Sequence, residues 1–338
     1  MLRVADPQGR YSAVRLATDL PLSEAERTFT RVNGAWVLDL HPSEVRRLEY
    51  ELELVGADGA VEYALDPGNP HRAPGAFGEK SVLLLPGYEP PAWLGAPAAE
   101  GRFDELSVRG RGLGAEVAMR VWSPAGVEPE RPLRLLLAHD GPEYDELASL
   151  TRFCATQIAA EALPPFRVAL LAPGDRDQWY SASQVYGRVL ANDLIPALRD
   201  AFPTVGAPAG MGCSLGALAM LHAHRSFPRS LGALFLQSGS FFTPQLDPQE
   251  SEFGRFARIA RFVRGMDRNA QYAIPVPVTI TVGTAEENAA NNRQMAHVLS
   301  GQGYEVDLVE VPDMHNYTGW RDALDPHLTR LLRRAWLR

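Results

Sequence analysis

At 338 residues the chain has room for one large domain and a smaller one, and 46% apolar against 22% charged residues is the balance of a soluble globular protein. A net charge of −8 argues against a general nucleic-acid or anionic-membrane surface. Two cysteines, Cys154 and Cys213, make neither a disulfide framework nor a zinc-ligand set. No run reaches the length of a membrane span, and Met1 to Pro7 lack the apolar core of a secretion signal. The expected location is therefore the cytoplasm.

Residues 1–86 read as a small all-β domain. Thr28 to Leu40 carries Phe29, Val32, Trp36, Val37 and Leu38 around an Asn33-Gly34 turn signal. Leu48 to Leu54 alternates strictly between apolar and other residues, which predicts a strand with an apolar face and a solvated acidic one. Asp58-Gly59 turns the chain into Val61 to Leu65, and Ser81 to Leu85 is the last strand of this part. Residues 87–101, rich in Pro, Gly and Ala, read as a linker with Trp93 as an anchor.

From 102 to 338 strands alternate with helices. Arg102 to Val108 and Glu116 to Trp122 are expected as antiparallel strands, and Leu133 to Ala138 and Arg167 to Ala172 as strands buried on both faces. Further strands are expected at Leu231 to Leu236, Val276 to Val282 and Glu305 to Val311. Helices are expected over Thr151 to Leu163, Val185 to Asp200, Asn291 to Ser300 and Asp322 to Leu337. The pattern predicts an α/β protein with a doubly wound, mostly parallel sheet. Ligands sit beyond the carboxyl ends of strands in such sheets. Polar residues do cluster there, at His139 to Tyr144, Gly174 to Tyr180, Gln237 to Ser240, Gly283 to Glu287 and Pro312 to Tyr317.

Gly212-Cys213-Ser214-Leu215-Gly216 has the pattern of a nucleophile elbow, a strand-to-helix turn with one serine at its apex. The two glycines allow the tight turn, and the Leu215 amide opens the helix where an oxyanion would form. The preceding Ala207-Pro208-Ala209-Gly210-Met211 is a weak strand signal, poor in β-branched residues. A serine hydroxyl needs a base, commonly a histidine oriented by a carboxylate, and hydrolases of this fold class carry them in the order serine, acid, histidine. The last two strand-end loops supply Glu286 and His315 in that order, with Glu287 and Asp313 as alternative acids. His222 and His224 face different directions on one helix, and His139 precedes the serine and is expected to pack or orient its loop.

Gly-Cys-Ser-Leu-Gly-Ala-Leu, Gln-Ser-Gly-Ser-Phe-Phe, Val-Gly-Thr-Ala-Glu-Glu-Asn and His-Asn-Tyr-Thr-Gly-Trp-Arg-Asp-Ala-Leu occur in order across residues 102–338. Together they resemble the α/β-hydrolase-fold serine esterase family that includes enterochelin esterases and mycolyltransferase-type enzymes. The preceding residues resemble the immunoglobulin-like, early-set sandwich of enterochelin esterases. The resemblance implies Ser214 as nucleophile, His315 as base, Glu286 as acid, and oxyanion donors at Leu215 and in the Asp140-Gly141 loop. Pro142 has no N–H, so the second donor becomes Gly141, or Glu143 after a shift of the chain. It also implies substrate contacts at Arg176, Trp179 and Tyr180. Arg176 paired with Asp175 or Asp177 is the plainer reading, and for Trp320 it is a place in the pocket wall or core. The implied reaction is hydrolysis of a small-molecule ester, a siderophore ester by resemblance, with no metal or organic cofactor. An acyltransferase with the same triad and a non-catalytic binding protein on a hydrolase scaffold are the alternatives.

Overall fold

The computed structural model describes residues 1–42, 44–268 and 274–337. The chain forms two compact units. One comprises Met1–Glu89 with Gly283–Glu286 and Val311–Gly319; the other comprises Pro90–Val282, Glu287–Glu310 and Trp320–Arg338.

The first unit contains β1 (Leu2–Ala5), β2 (Tyr11–Ala17), β3 (Thr30–Val32), β4 (Ala35–Leu38), β5 (Arg47–Gly56), β6 (Val61–Ala64), β7 (Arg72–Ala73) and β8 (Lys80–Leu84). They make one sheet of order β1-β4-β3 and another of order β2-β5-β8-β7, with β6 also on β5. The strand pairs are antiparallel. Asn33 and Gly34 take φ of 49° and 74°, the left-handed pair that a two-residue hairpin between β3 and β4 requires. Leu48, Tyr50, Leu52 and Leu54 of β5 bury their side chains with Val14, Leu16, Phe29 and Trp36, and Ala285 and Met314 complete this cluster. The acidic positions of β5 depart from the expected solvated face. Glu49 and Glu53 are buried. Glu53 accepts from Arg15, directly across the ladder on β2, at 2.7 Å and from Arg27 at 2.9 Å. An opposite charge placed cross-strand lets a carboxylate leave water without standing alone.

The second unit is built on a sheet of order β16-β15-β14-β13-β11-β12-β10-β9. Its strands are β9 (Arg102–Gly110), β10 (Ala115–Ser123), β11 (Arg134–Ala138), β12 (Phe166–Leu171), β13 (Ala209–Cys213), β14 (Ala233–Gln237), β15 (Val278–Gly283) and β16 (Val306–Val311). β9, β10 and β12 pair antiparallel, while β12, β11, β13, β14 and β15 run parallel. Hydrogen bonds that ascend together, from Val278 N to Glu305 O and from Thr284 N to Val311 O, continue the parallel run into β16. Every residue of β12, and every residue of β11 after Arg134, is buried, as the continuous apolar runs predict. Trp93 anchors the segment before β9, edge-on to Phe153 at 5.4 Å, and Arg152 donates to Leu94 O and Ala96 O.

β13 forms although its sequence is a poor strand. Pro208 stands just outside it, so no ladder bond is lost. Its small residues answer to packing: a Cβ on Gly210 would lie 2.8 Å from Met220 Sδ, on the helix Leu215–Ser226 that follows. Around Pro196, the expected helix splits into Gln184–Val189, a wider turn at Leu190–Leu194, and Ile195–Ala201. A wide turn there accommodates the missing proline N–H.

The elbow helix is buried through His224 and takes two imidazoles inside with it. Burial pushes both His222 and His224 down to about 4 from an ordinary 6.5, so the folded protein holds them neutral. The unfolded chain binds those protons first. Stability is therefore complete above about pH 6.5 and falls as pH drops toward 4, by at most about 1.4 kcal/mol per pH unit for each imidazole. Tm scanned from pH 7 to pH 4 should show this loss, and His222→Leu, which removes one titrating group, should flatten it.

Candidate active site

Ser214 lies between β13 and the elbow helix with φ 53° and ψ −123°, a conformation that costs a non-glycine residue about 1–3 kcal/mol. The flanking glycines make the turn possible. A Cβ on Gly212 would sit 2.5 Å from the Gly216 carbonyl carbon, and one on Gly216 would sit 3.1 Å from both Asp140 Oδ2 and His139 Cβ. The backbone is tied at Ser214 N to Gln237 O at 2.9 Å, and Ser240 N donates to Ser214 O at 3.2 Å. Ser214 Oγ is half-buried and 3.1 Å from Ser240 Oγ. Leu215 is the first helical residue, so its amide has no acceptor within the helix and faces the place where negative charge is best held.

β11 and β13 pair in parallel with Ala138 opposite Met211, which sets the turn 139–141 beside the elbow. His139 is fully buried. Its Nδ1 donates to Gly216 O at 2.9 Å, and its Nε2 accepts from Tyr186 Oη at 2.9 Å. Burial pushes this imidazole down to about 4, so it is the neutral tautomer that clamps the elbow helix. Asp140 adopts φ 49° and precedes the helix Gly141–Ala148, with Pro142 in its first turn, where a missing N–H is tolerated. Gly141 is pressed on the neighbouring strand: a Cβ there would lie 2.3 Å from Leu170 Cα.

Residues expected at the substrate also pack around this turn. Arg176 meets Asp140 in a bidentate pair, Nε to Oδ1 at 2.8 Å and Nη2 to Oδ2 at 2.9 Å, instead of pairing with Asp175 or Asp177. Asp175 caps its own helix by accepting from Gln178 N. Tyr180 has no exposed surface and stacks on His139 at 4.3 Å, which corrects the expectation of a substrate contact there. Trp179 is 7% exposed and stacks on Tyr186 at 5.7 Å. Trp320 is buried too, donating from Nε1 to Ser238 Oγ at 2.9 Å and accepting from Gln237 Nε2 at its carbonyl at 3.1 Å.

Sequence reasoning named the Gln237–Ser240 loop but gave it no task. Ser238 has φ 48°. Asn292 donates to Gly239 O at 2.9 Å and accepts from Gly239 N at 3.0 Å, while Asn288 Nδ2 donates to Ser238 O at 3.2 Å. The signal was the asparagine-rich run 288–292, because a side-chain amide can meet backbone as both donor and acceptor, as Asn292 does.

In the first unit, Glu286 and His315 meet. His315 Nδ1 lies 3.1 Å from Glu286 Oε2, and Gly283 N donates to Glu286 Oε1 at 2.7 Å. The Glu286 side chain is 1% exposed and the imidazole 33%. Asp313, an alternative acid, instead faces Arg47, and Glu287 accepts from Gln249 at the surface. Among the described residues no group of His, Cys, Asp and Glu could hold a metal ion, and no helix is long and apolar enough to cross a membrane.

The profile of the family described as Putative esterase matches residues 110–331. Among solved structures, the chain is similar to the enterobactin esterase of Shigella flexneri determined with enterobactin, at 16% identity and a TM-score of 0.74, over 99% of this chain and 92% of that one. The ferric enterobactin esterase of Salmonella typhimurium matches at 19% identity and 0.75, over 98% and 93%. A feruloyl esterase module from Clostridium thermocellum, complexed with sinapinate, matches at 14% and 0.53, over 72% and 93%. At such identities the likeness is one of fold. No curated protein matches the sequence.

Gly212→Ala tests the elbow: its Cβ would meet backbone rather than a yielding side chain. Tm should fall by the equivalent of about 1–3 kcal/mol, read by thermal denaturation.

Proposed function

The chain belongs to the putative esterase family, whose profile spans most of its length, and from that carboxylic ester hydrolase activity we propose a serine mechanism with Ser214 as nucleophile, His315 as base and Glu286 as orienting acid. The observation that carries it is the strained backbone at Ser214, held at φ 53° between two closely packed glycines at the apex of a strand-to-helix turn. Supporting it, Glu286 is the acidic candidate that touches His315, and it fixes the tautomer with the proton on Nδ1.

In the proposed cycle Ser214 Oγ attacks the ester carbonyl carbon while its proton passes to His315 Nε2. The resulting oxyanion accepts hydrogen bonds from the Leu215 and Gly141 amides. Collapse breaks the bond to the alcohol, which leaves with the proton from His315. Water then attacks the acyl-enzyme with His315 again as base, releasing the acid and restoring Ser214. Arg176, with 34% of its side chain exposed, is the polar group assigned to the substrate side, held in place by Asp140.

The substrate class assigned is a siderophore ester of the enterobactin type, a reading supported by the two enterobactin esterases that align over nearly the whole chain. With it goes a division into an early-set, immunoglobulin-like sandwich at 1–86, a linker at 87–101 and an α/β-hydrolase domain at 102–338. A cytoplasmic setting suits Cys154 and Cys213, two buried cysteines that form no disulfide.

Ser214→Ala should keep the fold and lower turnover of a chromogenic short-chain ester by about 1,000-fold or more. A fluorophosphonate should label Ser214, and His315→Ala should abolish labelling. Glu286→Gln should cost about 100-fold or more in kcat, and Glu287→Gln next to nothing. Enterobactin should be cleaved with a higher kcat/KM than a feruloyl ester; the reverse order would overturn the substrate assignment.

A further inference from the structure

One short stretch of the N-terminal β unit grips both loops that carry the acid and the base. Arg46 N donates to Pro312 O at 2.9 Å, and Thr284 Oγ1 donates to Glu44 O at 2.6 Å. Between these backbone ties stands Arg47, the first residue of β5, with 2% of its surface exposed. Its guanidinium is shared among three side chains. Nη1 donates to Glu49 Oε1 at 2.7 Å, Nε and Nη2 donate to the two oxygens of Asp313 at 3.2 Å each, and Nη2 also donates to Asn316 Oδ1.

Those partners bracket His315. Asp313 Oδ1 also accepts from Met314 N at 2.8 Å and from Asn316 Nδ2 at 3.0 Å, and Asn316 Oδ1 accepts from Gly319 N at 2.7 Å. A Cβ on Gly319 would come within 3.0 Å of Asp313 Cγ, so the loop closes tightly on the carboxylate. Residues on both sides of the histidine are thus referred to one planar, five-donor group. The imidazole itself, a third exposed, reaches Glu286 at the end of this frame.

Burying a guanidinium with carboxylates is an inefficient way to gain stability, because desolvation offsets most of the attraction. What such a network provides is fixed geometry, and here the fixed object is the loop of a proton-transfer residue. We propose that Arg47 is a positioning residue for His315, with Glu44 to Arg47 forming the brace that sets the His315–Glu286 pair, so that the N-terminal unit is part of the reaction machinery. The proposal rests on the reading of His315 as the base.

The test uses the full-length protein with active sites titrated by fluorophosphonate. Arg47→Lys keeps the charge but cannot span Glu49, Asp313 and Asn316 together. It should lower kcat by about tenfold or more, as expected when a reacting group is displaced by a fraction of an ångström to one ångström, while KM stays within about threefold. Thr284→Val, which removes only the tie to Glu44, should lower kcat in the same sense by a few-fold and carries the test if Arg47→Lys does not fold. Arg27→Ala, which breaks a pair with Glu53 elsewhere in the unit, should lower Tm and leave kcat unchanged. If the Arg47 and Thr284 variants instead behave like Arg27→Ala, with lowered Tm and unchanged kcat per titrated site, the proposal fails. An active His315→Ala enzyme would sink the reading beneath it, a result distinguishable from the first.

Discussion

The strain at Ser214 is the constraint around which the larger unit is arranged. A serine held at φ 53° and ψ −123° relaxes unless everything around it forbids relaxation. The surroundings do forbid it. Gly212 and Gly216 remove the side chains that would keep the turn open, and His139 pins the Gly216 carbonyl while buried and neutral. Tyr180 and Tyr186 back the imidazole, so the aromatic cluster behind the elbow serves as its foundation.

Buried charge plays a comparable part at three places. Asp140 with Arg176, Glu53 with Arg15 and Arg27, and Asp313 with Arg47 each place a carboxylate in a hydrogen-bonded fork away from water. Such pairs add little net stability but tolerate few geometries, because breaking one leaves an uncompensated charge. They fall where loop position matters: on the turn beside the elbow, between β2 and β5, and on the loop of His315.

Much of this was legible in the sequence, and for identifiable reasons. Apolar runs marked the buried strands, Asn33-Gly34 marked a hairpin, and the elbow glycines declared a turn that other residues cannot make. The meeting of Glu286 with His315 was readable because strand ends collect reactive groups. β13 was underrated because strand propensity registers β-branched residues, whereas a helix lying 2.8 Å from a would-be Cβ demands small ones. The acidic face of β5 was misjudged because alternation tells which residues leave the core, not which arginine awaits them across the ladder. Arg47 was invisible for the same reason: its partner Asp313 lies 266 residues away. The resemblance implied contacts at 179 and 180, and it carries no information on the packing against His139 and Tyr186 that buries those aromatic rings.

The smaller unit is assembled from pieces made far apart in synthesis. Its apolar cluster is incomplete until Ala285 and Met314 arrive, and the guanidinium of Arg47 has no Asp313 to meet until a further 266 residues have been made. Contacts of such long sequence separation form late and slowly. The first eighty-odd residues therefore emerge with Arg47 still without Asp313 and with a cluster short of two members. This is a vectorial folding problem, one that a tandem arrangement with no returning segments would avoid.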